Sequence, residues 1–527
     1  MATIDTSEWE YSAEGGRHAV FRSTIGGLVL RVHKAFLQGC NIASLDGDEC
    51  SEQTYTDMVV LPLLWSYVDQ PANVYLSSQQ LKDLRRQAIE SNRIPDSRQE
   101  SWEVAGEIQS GAMATVHPDY RRPTKRALGS SIESLLLSPS LSKALPLNGE
   151  AEKETSSFAV EFKPKAGYLS TSPLILPCNY IKLYKTRFEI LQRLASKGIM
   201  KKGWSKGRPA ESQYDPLDFF SQDPRRLRGA TAALIENPQN NLRMFQNGTV
   251  LHDHHAVQTD ARRERLSPCM PLMELTETIL LSETVLPDIQ SLQQLDVIDG
   301  DGAVLIYSRL ISLVGSTQLA ESMLDDITPG CLKGLSNVEG QDQDNAIRIQ
   351  CNQRITLPEV DWVEKSPFRL PNCDELQAYI ALQQSFRSAC RDLQHDVESL
   401  REELEKTHTK ATNCVAGLSV EACVYLLRNW LLSLLCCDLS LFVSFAPISG
   451  LAVSEEPLSE PAMTKQRQNR SYIVHHQTAD RPGKAFCYGR PYQYWVRLVD
   501  IERKSSQKLR KRAESEALVR LYTIGDE

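Results

Sequence analysis

The apolar run from Tyr425 to Phe445 constrains the fold of this chain more than any other stretch. It is long enough to raise the question of a membrane span. Arg428, Asn429 and Asp438 interrupt it, however, and an unpaired carboxylate near the middle of a bilayer is costly. The reading is therefore a buried helix followed by a buried strand, with no membrane span. Covering such a segment on all sides needs a large core. The 527 residues suffice for two to four structural units, and 41% apolar with 24% charged residues is ordinary for a globular protein.

The formal net charge of −8 gives no overall positive field to draw the chain to nucleic acid or an acidic membrane, so any anion site must be local. Basic residues concentrate at 197–228 and 503–512, where each cluster is either a binding surface or a solvated face. The opening MATIDTSEWEYSAEGG lacks a basic and then apolar leader, so the expectation is an intracellular protein of cytoplasm, nucleus or both. Thirteen scattered cysteines without a CxxC pair indicate neither a disulfide framework nor a structural zinc site.

Glycine-punctuated β-rich runs at 9–34, a helix from Ser77 to Glu90 and strands at Met58–Leu64 and Ala112–Val116 predict a small α+β lobe over 1–120. A linker rich in Ser, Leu and Pro follows at 121–157. A larger lobe starts at Phe158, with a first part at 158–320, an insertion at 321–413 and a last part at 414–527. Helices are expected at Lys185–Lys197, Pro224–Glu236, Leu272–Leu281 and Gly302–Leu313, and Asn247-Gly248 marks a hairpin. From Asp374 to Thr409, apolar residues spaced by three and four predict one long amphipathic helix, packed on its own domain or paired as a coiled coil in an otherwise monomeric protein. Residues 446–484 read as an exposed loop.

In VEFKPKAGYL, a strand's period of two places Glu161, Lys163 and Lys165 on one face. Lysines spaced this way stand about 7 Å apart and suit successive phosphates of one ligand. The same pattern also suits a charged edge strand, and Pro164 belongs on an edge or at a strand's end. Asp438 and Asp500 each follow apolar residues, where a carboxylate needs a cation, donors or a helix cap. Phosphoryl transfer requires two such groups, one beside the attacking hydroxyl and one holding magnesium. Lys504, Lys508 and Arg512 follow Asp500 in steps of four, as a cationic ridge on a helix. Asn240 and Arg243 lie at the mouth of the hairpin, and Gly15-Gly16 permit close approach of backbone to phosphate, although no Walker or GxGxxG pattern is present. The histidines at 252, 254 and 255 read as surface residues.

Taken in order, AEGGRHAVF, LVLRVHK, VVLPLLWSYVD, EFKPK, YDPLDFFS, PQNNLRMFQNG, CCDLSLFVSF and VRLVDIERK resemble the inositol-pentakisphosphate 2-kinase family. The resemblance implies an α+β, two-lobed, kinase-like fold and ATP- and Mg2+-dependent phosphorylation of the 2-hydroxyl of inositol 1,3,4,5,6-pentakisphosphate to the hexakisphosphate, phytate. It implies that Gly15, Gly16, Arg17 and His18 cover the nucleotide, Arg31 reaches its phosphates, and Val116, His117 and Pro118 form the hinge beside adenine. Glu161, Lys163 and Arg243 would serve ATP, and Asp500 would hold magnesium. Lys165, Asn240, Lys504, Lys508 and Arg512 would bind the inositol phosphate, with Asp438 and Lys163 catalytic.

The chain departs from the family pattern in several places: the plant members' Cys/His zinc site has no counterpart, and the spacer from about Glu321 to Asn413 is longer than expected. DIERK lacks the expected proline after the lysine, and Arg512 replaces a tyrosine. A basic substrate contact falls near Ala195, leaving Arg193 or Lys197 to substitute, and an arginine of plant members falls at Glu103. These substitutions leave open an inactive inositol-polyphosphate-binding protein, or a scaffold assembled through 374–409.

Overall fold

The computed structural model describes residues 4–14, 18–24, 27–38, 64–68, 72–91, 93–94, 102, 108, 112–121, 157–197, 211–254, 270–325, 371, 373–394, 396–448, 471–478, 481–487, 490–501, 504, 508–509, 516 and 519. Strands β1 (Trp9–Glu14), β2 (His18–Ser23), β3 (Leu28–His33), β4 (Ala72–Leu76) and β5 (Ala112–Pro118) form an antiparallel sheet in the order β1-β2-β3-β5-β4. Burial alternates strictly along β2 and β3, which sends Ala19, Phe21, Leu28, Leu30 and Val32 into one core. Helix α1 (Ser78–Glu90) closes that core with Leu81, Leu84 and Ala88. It starts where the sequence predicts, because Ser77 and Gln80 cap each other's backbone N–H in a capping box. The expected strand at 58–63 and the linker at 122–156 lie outside the described residues.

The second sheet has the order β10-β11-β12-β9-β6-β7-β8, every neighbour antiparallel. Its strands are β6 (Phe158–Phe162), β7 (Leu242–Gln246), β8 (Thr249–His252), β9 (Ser440–Pro447), β10 (Tyr472–His475), β11 (Gly483–Cys487) and β12 (Arg490–Val499). Asn247 and Gly248, at φ 51° and 77°, make the tight turn between β7 and β8. Around the sheet lie α2 (Arg187–Ser196), α3 (Pro224–Glu236), α4 (Met270–Ser282), α5 (Val285–Gln293), α6 (Asp299–Val314), α7 (Thr317–Asp325), α8 (Asp374–Asp392), α9 (Val397–Gly417) and α10 (Val420–Asp438). Two antiparallel sheets, each with its own core, make the α+β, two-lobed, kinase-like architecture.

Helix α10 is long and apolar enough to cross a membrane, yet most of it is buried in the chain's own core against α5 and α6. Strand β9 follows after a single residue, as the apolar run requires.

Several expectations need correction. The amphipathic stretch at 374–409 is two helices, because Asp396 accepts the Ser399 N–H and starts α9 anew after the chain turns at Leu393. Its seam residues Phe386, Cys390, Leu400 and Leu404 are covered by Ile175 and Leu183 of the same chain. Strands β10 and β11 replace part of the loop expected at 446–484. Strand β6 is central, with β9 on one side and β7 on the other, so the edge-strand reading fails. It also ends at Phe162, so Lys163 and Lys165 leave the sheet and the three charges do not alternate along one strand face. His252 is fully buried on β8, where its Nε2 lies 2.9 Å from the Ile235 carbonyl.

Candidate active site

Antiparallel register brings distant segments to one end of the second sheet. Phe162 at the end of β6 pairs with Leu441 near the start of β9 and with Leu242 at the start of β7, while Val499 at the end of β12 pairs with Ser440. Lys163, Asp438, Asp500 and the residues before β7 therefore leave the sheet at the same end. The Lys163 N–H donates to the Asn241 carbonyl at 2.9 Å, which extends the β6–β7 ladder by one bond.

Glu161 is buried under this end. Its carboxylate faces Arg243 on β7 at 3.7 Å and accepts from the Ser440 hydroxyl at 3.1 Å. The same hydroxyl lies 2.9 Å from Asp500 Oδ2, and Lys163 Nζ lies 3.5 Å from that oxygen. A hydroxyl carries one hydrogen, so it satisfies one carboxylate and turns a lone pair toward the other. A hard cation among these oxygens would remove that conflict, and the donor set of carboxylates and a hydroxyl suits Mg2+. Asp500 has φ 59° and Lys165 φ 66°, left-handed backbone that costs a residue with a side chain about 1 kcal/mol. Strain of this kind persists where the surroundings hold it, and here it falls on two charged residues of one cleft.

Asp438 ends α10, and its Oδ2 pairs with Lys504 Nζ at 3.2 Å. Burial alone would raise its carboxyl, but Lys504, Lys165 and Lys508 outweigh burial and hold it below the usual carboxylate range. Burial lowers the Lys165 ammonium, with the neighbouring Lys163 and Lys504 adding to that effect and Asp438 opposing it. Five cations (Lys163, Lys165, Arg243, Lys504, Lys508) thus meet three carboxylates (Glu161, Asp438, Asp500), a local positive excess on a chain of net charge −8. Such a cleft attracts polyanions.

Asn240 is exposed, whereas Asn241 is buried and neither its side-chain oxygen nor its nitrogen has a partner among the described residues. A buried amide without a partner is unusual, and the backbone carbonyl of Asn241 is the one that accepts from Lys163. Sequence reasoning named Asn240 and missed its neighbour, although both stand in QNN. Ser440 was missed as well, because a lone serine in an apolar strand carries no charge pattern.

In the first lobe, His18 opens β2 with its ring edge-on to His33 at 5.4 Å, and Arg31 lies on β3 opposite Thr115. His117 Nε2 lies 3.0 Å from Thr115 Oγ1. Burial, then Arg31 and His18, push the His117 imidazole down to about 3, so it is neutral. Val116 is paired on both sides, with Leu30 and Ala72, while His117 and Pro118 pair toward β3 with Val29 and Leu28. Gly15, Gly16, Arg17, Glu103 and Arg512 lie outside the described residues. Arg193 and Lys197 lie in the last turn and at the C-cap of α2.

A second ionic cluster lies deeper. Lys182 Nζ donates to Asp299 at 2.6 Å and to Asp301 at 2.8 Å and pairs with Glu516, which also takes Arg187 at 2.5 Å. The three carboxylates are close enough together to hold a metal ion, but the Lys182 ammonium already bonds to all three. The cluster ties Glu516, on the segment that carries Lys504 and Lys508, to the starts of α2 and α6.

Two sheets, a cleft of opposed carboxylates and a cationic rim place the chain in the class of two-lobed, kinase-like α+β proteins with a polyanion site. The family description inositol-pentakisphosphate 2-kinase matches residues 11–517, and the chain belongs to that family. It is 24% identical over 355 residues to the inositol-pentakisphosphate 2-kinase of Arabidopsis thaliana, covering 58% of this chain and 71% of that one. To the enzyme of that name from Oryza sativa subsp. indica it is 31% identical over 205 residues, covering 36% of this chain and 44% of the rice protein. The Drosophila melanogaster protein of the same name is 31% identical over 132 residues, 21% of each chain. The chain thus spans less than half the length of the rice relative it matches.

Proposed function

We propose that this chain transfers the γ-phosphoryl group of ATP to the 2-hydroxyl of inositol 1,3,4,5,6-pentakisphosphate, giving ADP and inositol hexakisphosphate. The observation that carries the proposal is the convergence of Asp438, Asp500, Lys163 and Lys165 at one end of one sheet, from segments hundreds of residues apart. In the transfer, the bond from the γ-phosphorus to the bridging oxygen breaks, the bond from the inositol oxygen to phosphorus forms, and the hydroxyl proton leaves.

Asp438, held ionised by Lys504 and Lys165, accepts a hydrogen bond from the 2-hydroxyl and orients it. A carboxylate of such low basicity acts by positioning, with the proton passing on to the departing phosphate oxygens or water. Lys163 lies beside Asp500 and faces the ATP side, while Lys165, Lys504, Lys508 and Arg512 neutralise the inositol phosphates, with Asn240 at the ring. Bound at Asp500, magnesium would offset charge between the nucleotide phosphates. Glu161 with Ser440 holds Asp500 and Arg243 in place from beneath.

On the first lobe, Gly15, Gly16, Arg17, His18 and Arg31 would cover the nucleotide. Residues 116–118 would border adenine. An intracellular setting belongs to the same proposal, supported by the free cysteines among the described residues, and subcellular fractionation tests it.

The test is to incubate the purified protein with Mg2+, ATP and the pentakisphosphate, following hexakisphosphate by anion-exchange chromatography beside the Asp438→Asn variant. Product from the parent and loss of at least about 100-fold in the variant are expected. No product from the parent refutes the kinase, and pentakisphosphate binding without turnover would establish the inactive binding protein instead.

A further inference from the structure

Gln293 is the last residue of α5, fully buried and remote in sequence from every charged group of the cleft. Its side-chain amide makes three hydrogen bonds, all to main chain. Oε1 accepts from the Gly167 N–H at 2.8 Å, and Nε2 donates to the Lys165 carbonyl at 2.8 Å and to the Cys436 carbonyl at 3.0 Å. Two carbonyls and one N–H fix which way the amide points, because only its nitrogen can donate. Among buried neutral side chains only an amide offers two donors and one acceptor in one plane at this reach.

The Gln293 main-chain carbonyl accepts from the Ser433 hydroxyl at 2.6 Å, and Gln290, one turn earlier, donates to the Gly167 carbonyl at 2.6 Å. The end of α5 is therefore bonded both to α10 and to the loop after β6.

The atoms bonded here belong to the two segments that carry the reacting groups. Lys165 holds its left-handed φ with its carbonyl captured by Gln293, and Asp438 follows Cys436 by two residues. The loop has no slack on its other side either, since a Cβ on Gly167 would lie 2.0 Å from Phe220 Cδ2. We propose that Gln293 is a positioning residue of the transfer site: by clamping the Lys165–Gly167 backbone to the end of α10, it sets where the Lys165 ammonium stands relative to the Asp438 carboxylate. This rests on the kinase reading above. It assigns to an uncharged, fully buried glutamine the register between a substrate lysine and the carboxylate that orients the hydroxyl.

The experiment compares the parent with Gln293→Met, which keeps length and neutrality but no hydrogen bond, with Gln293→Glu, and with the milder Gln290→Ala. In Gln293→Met, kcat/KM for the pentakisphosphate falls about 100-fold while the ATP KM stays within about twofold, because the displaced group serves the inositol side. Hydrogen exchange at the Gly167 amide speeds up in the same variant, and Gln290→Ala shifts both readouts the same way by less. Gln293→Glu loses its donors at neutral pH, and as pH falls the introduced carboxyl takes a proton that it donates to one carbonyl, so its rate relative to the parent recovers.

Equal losses toward ATP and pentakisphosphate, or no pH-dependent recovery, would reduce Gln293 to a packing residue and overturn the proposal. If Gln293→Met does not fold, the Gln290→Ala and Gln293→Glu readouts decide. If the parent makes no hexakisphosphate the kinase reading falls by itself. The clamp is then decided by Gly167 exchange and by calorimetric pentakisphosphate affinity: both altered in Gln293→Met support it, and both unchanged refute it.

Discussion

Replacing Ser440 with alanine removes one hydroxyl from the floor of the site. That hydroxyl is fully buried and sits 2.9 Å from Asp500 Oδ2 and 3.1 Å from Glu161 Oε1. It has one hydrogen, so one charge-assisted hydrogen bond is lost, worth about 1.5–3 kcal/mol, or about 10- to 150-fold in an equilibrium or rate constant. The loss should fall on the magnesium and ATP side, because Asp500 loses the contact that aims its carboxylate from a left-handed backbone. Initial rates at varied Mg2+, with saturating ATP and pentakisphosphate, give the assay. Half-saturating Mg2+ is expected to rise by about tenfold or more, with the pentakisphosphate KM moving less than about threefold. Thermal unfolding should shift downward as well, since a buried hydrogen bond is lost. Magnesium curves superimposable on the parent's, or a change confined to the pentakisphosphate KM, would refute the assignment of Ser440 to the Asp500 side.

Lys504→Ala removes the cation beside Asp438 and the phosphate contact proposed for it; kcat/KM for the pentakisphosphate should fall about 10- to 100-fold, and an unchanged value would take Lys504 out of the proposed clamp. Gly167→Ala drives a methyl group into the Phe220 ring and should lower stability by about 1–3 kcal/mol in urea unfolding, with overlapping curves counting against the close approach. His117 has a folded pKa of about 3, below its unfolded value near 6.5, so only the unfolded chain takes up its proton between those values. Its contribution is complete above pH 6.5 and is lost as pH falls toward 3. Between pH 6.5 and 5 the parent should lose up to about 2 kcal/mol that His117→Gln does not lose, and equal losses would contradict the neutral imidazole.

Much of the architecture was legible where local chemistry decides it. Asp223-Pro224 announces α3 to the residue, Ser77 with Gln80 announces α1, and Asn247-Gly248 announces the hairpin. Periodicity failed at 374–409, because apolar spacing does not see that Asp396 prefers to cap a new helix. Alternation failed at Glu161–Lys165, because Pro164 and the left-handed Lys165 take the chain out of the sheet after Phe162.

The charged groups of the site could be named from sequence, since each is an ionisable residue in an unexpected setting or in a family motif. What sequence could not show was the neutral framework. Ser440 and Gln293 act through hydrogen bonds to partners far along the chain, and single polar residues of that kind are too common to stand out.

The pairing of β6 with β9 bears on how the chain is made. Glu161 and Ser440 touch across a separation of 279 residues, and the strands that carry them are immediate neighbours at the centre of the sheet. At a synthesis rate of about 5–20 residues per second, β6 waits on the order of tens of seconds for its partner, with one edge unpaired and Phe158, Val160 and Phe162 on one face. Folding therefore cannot finish from the first lobe onward. A ribosome that stalls between the two strands would leave β6 open to any other strand edge, which makes pauses in this interval a point of exposure to aggregation and to chaperones.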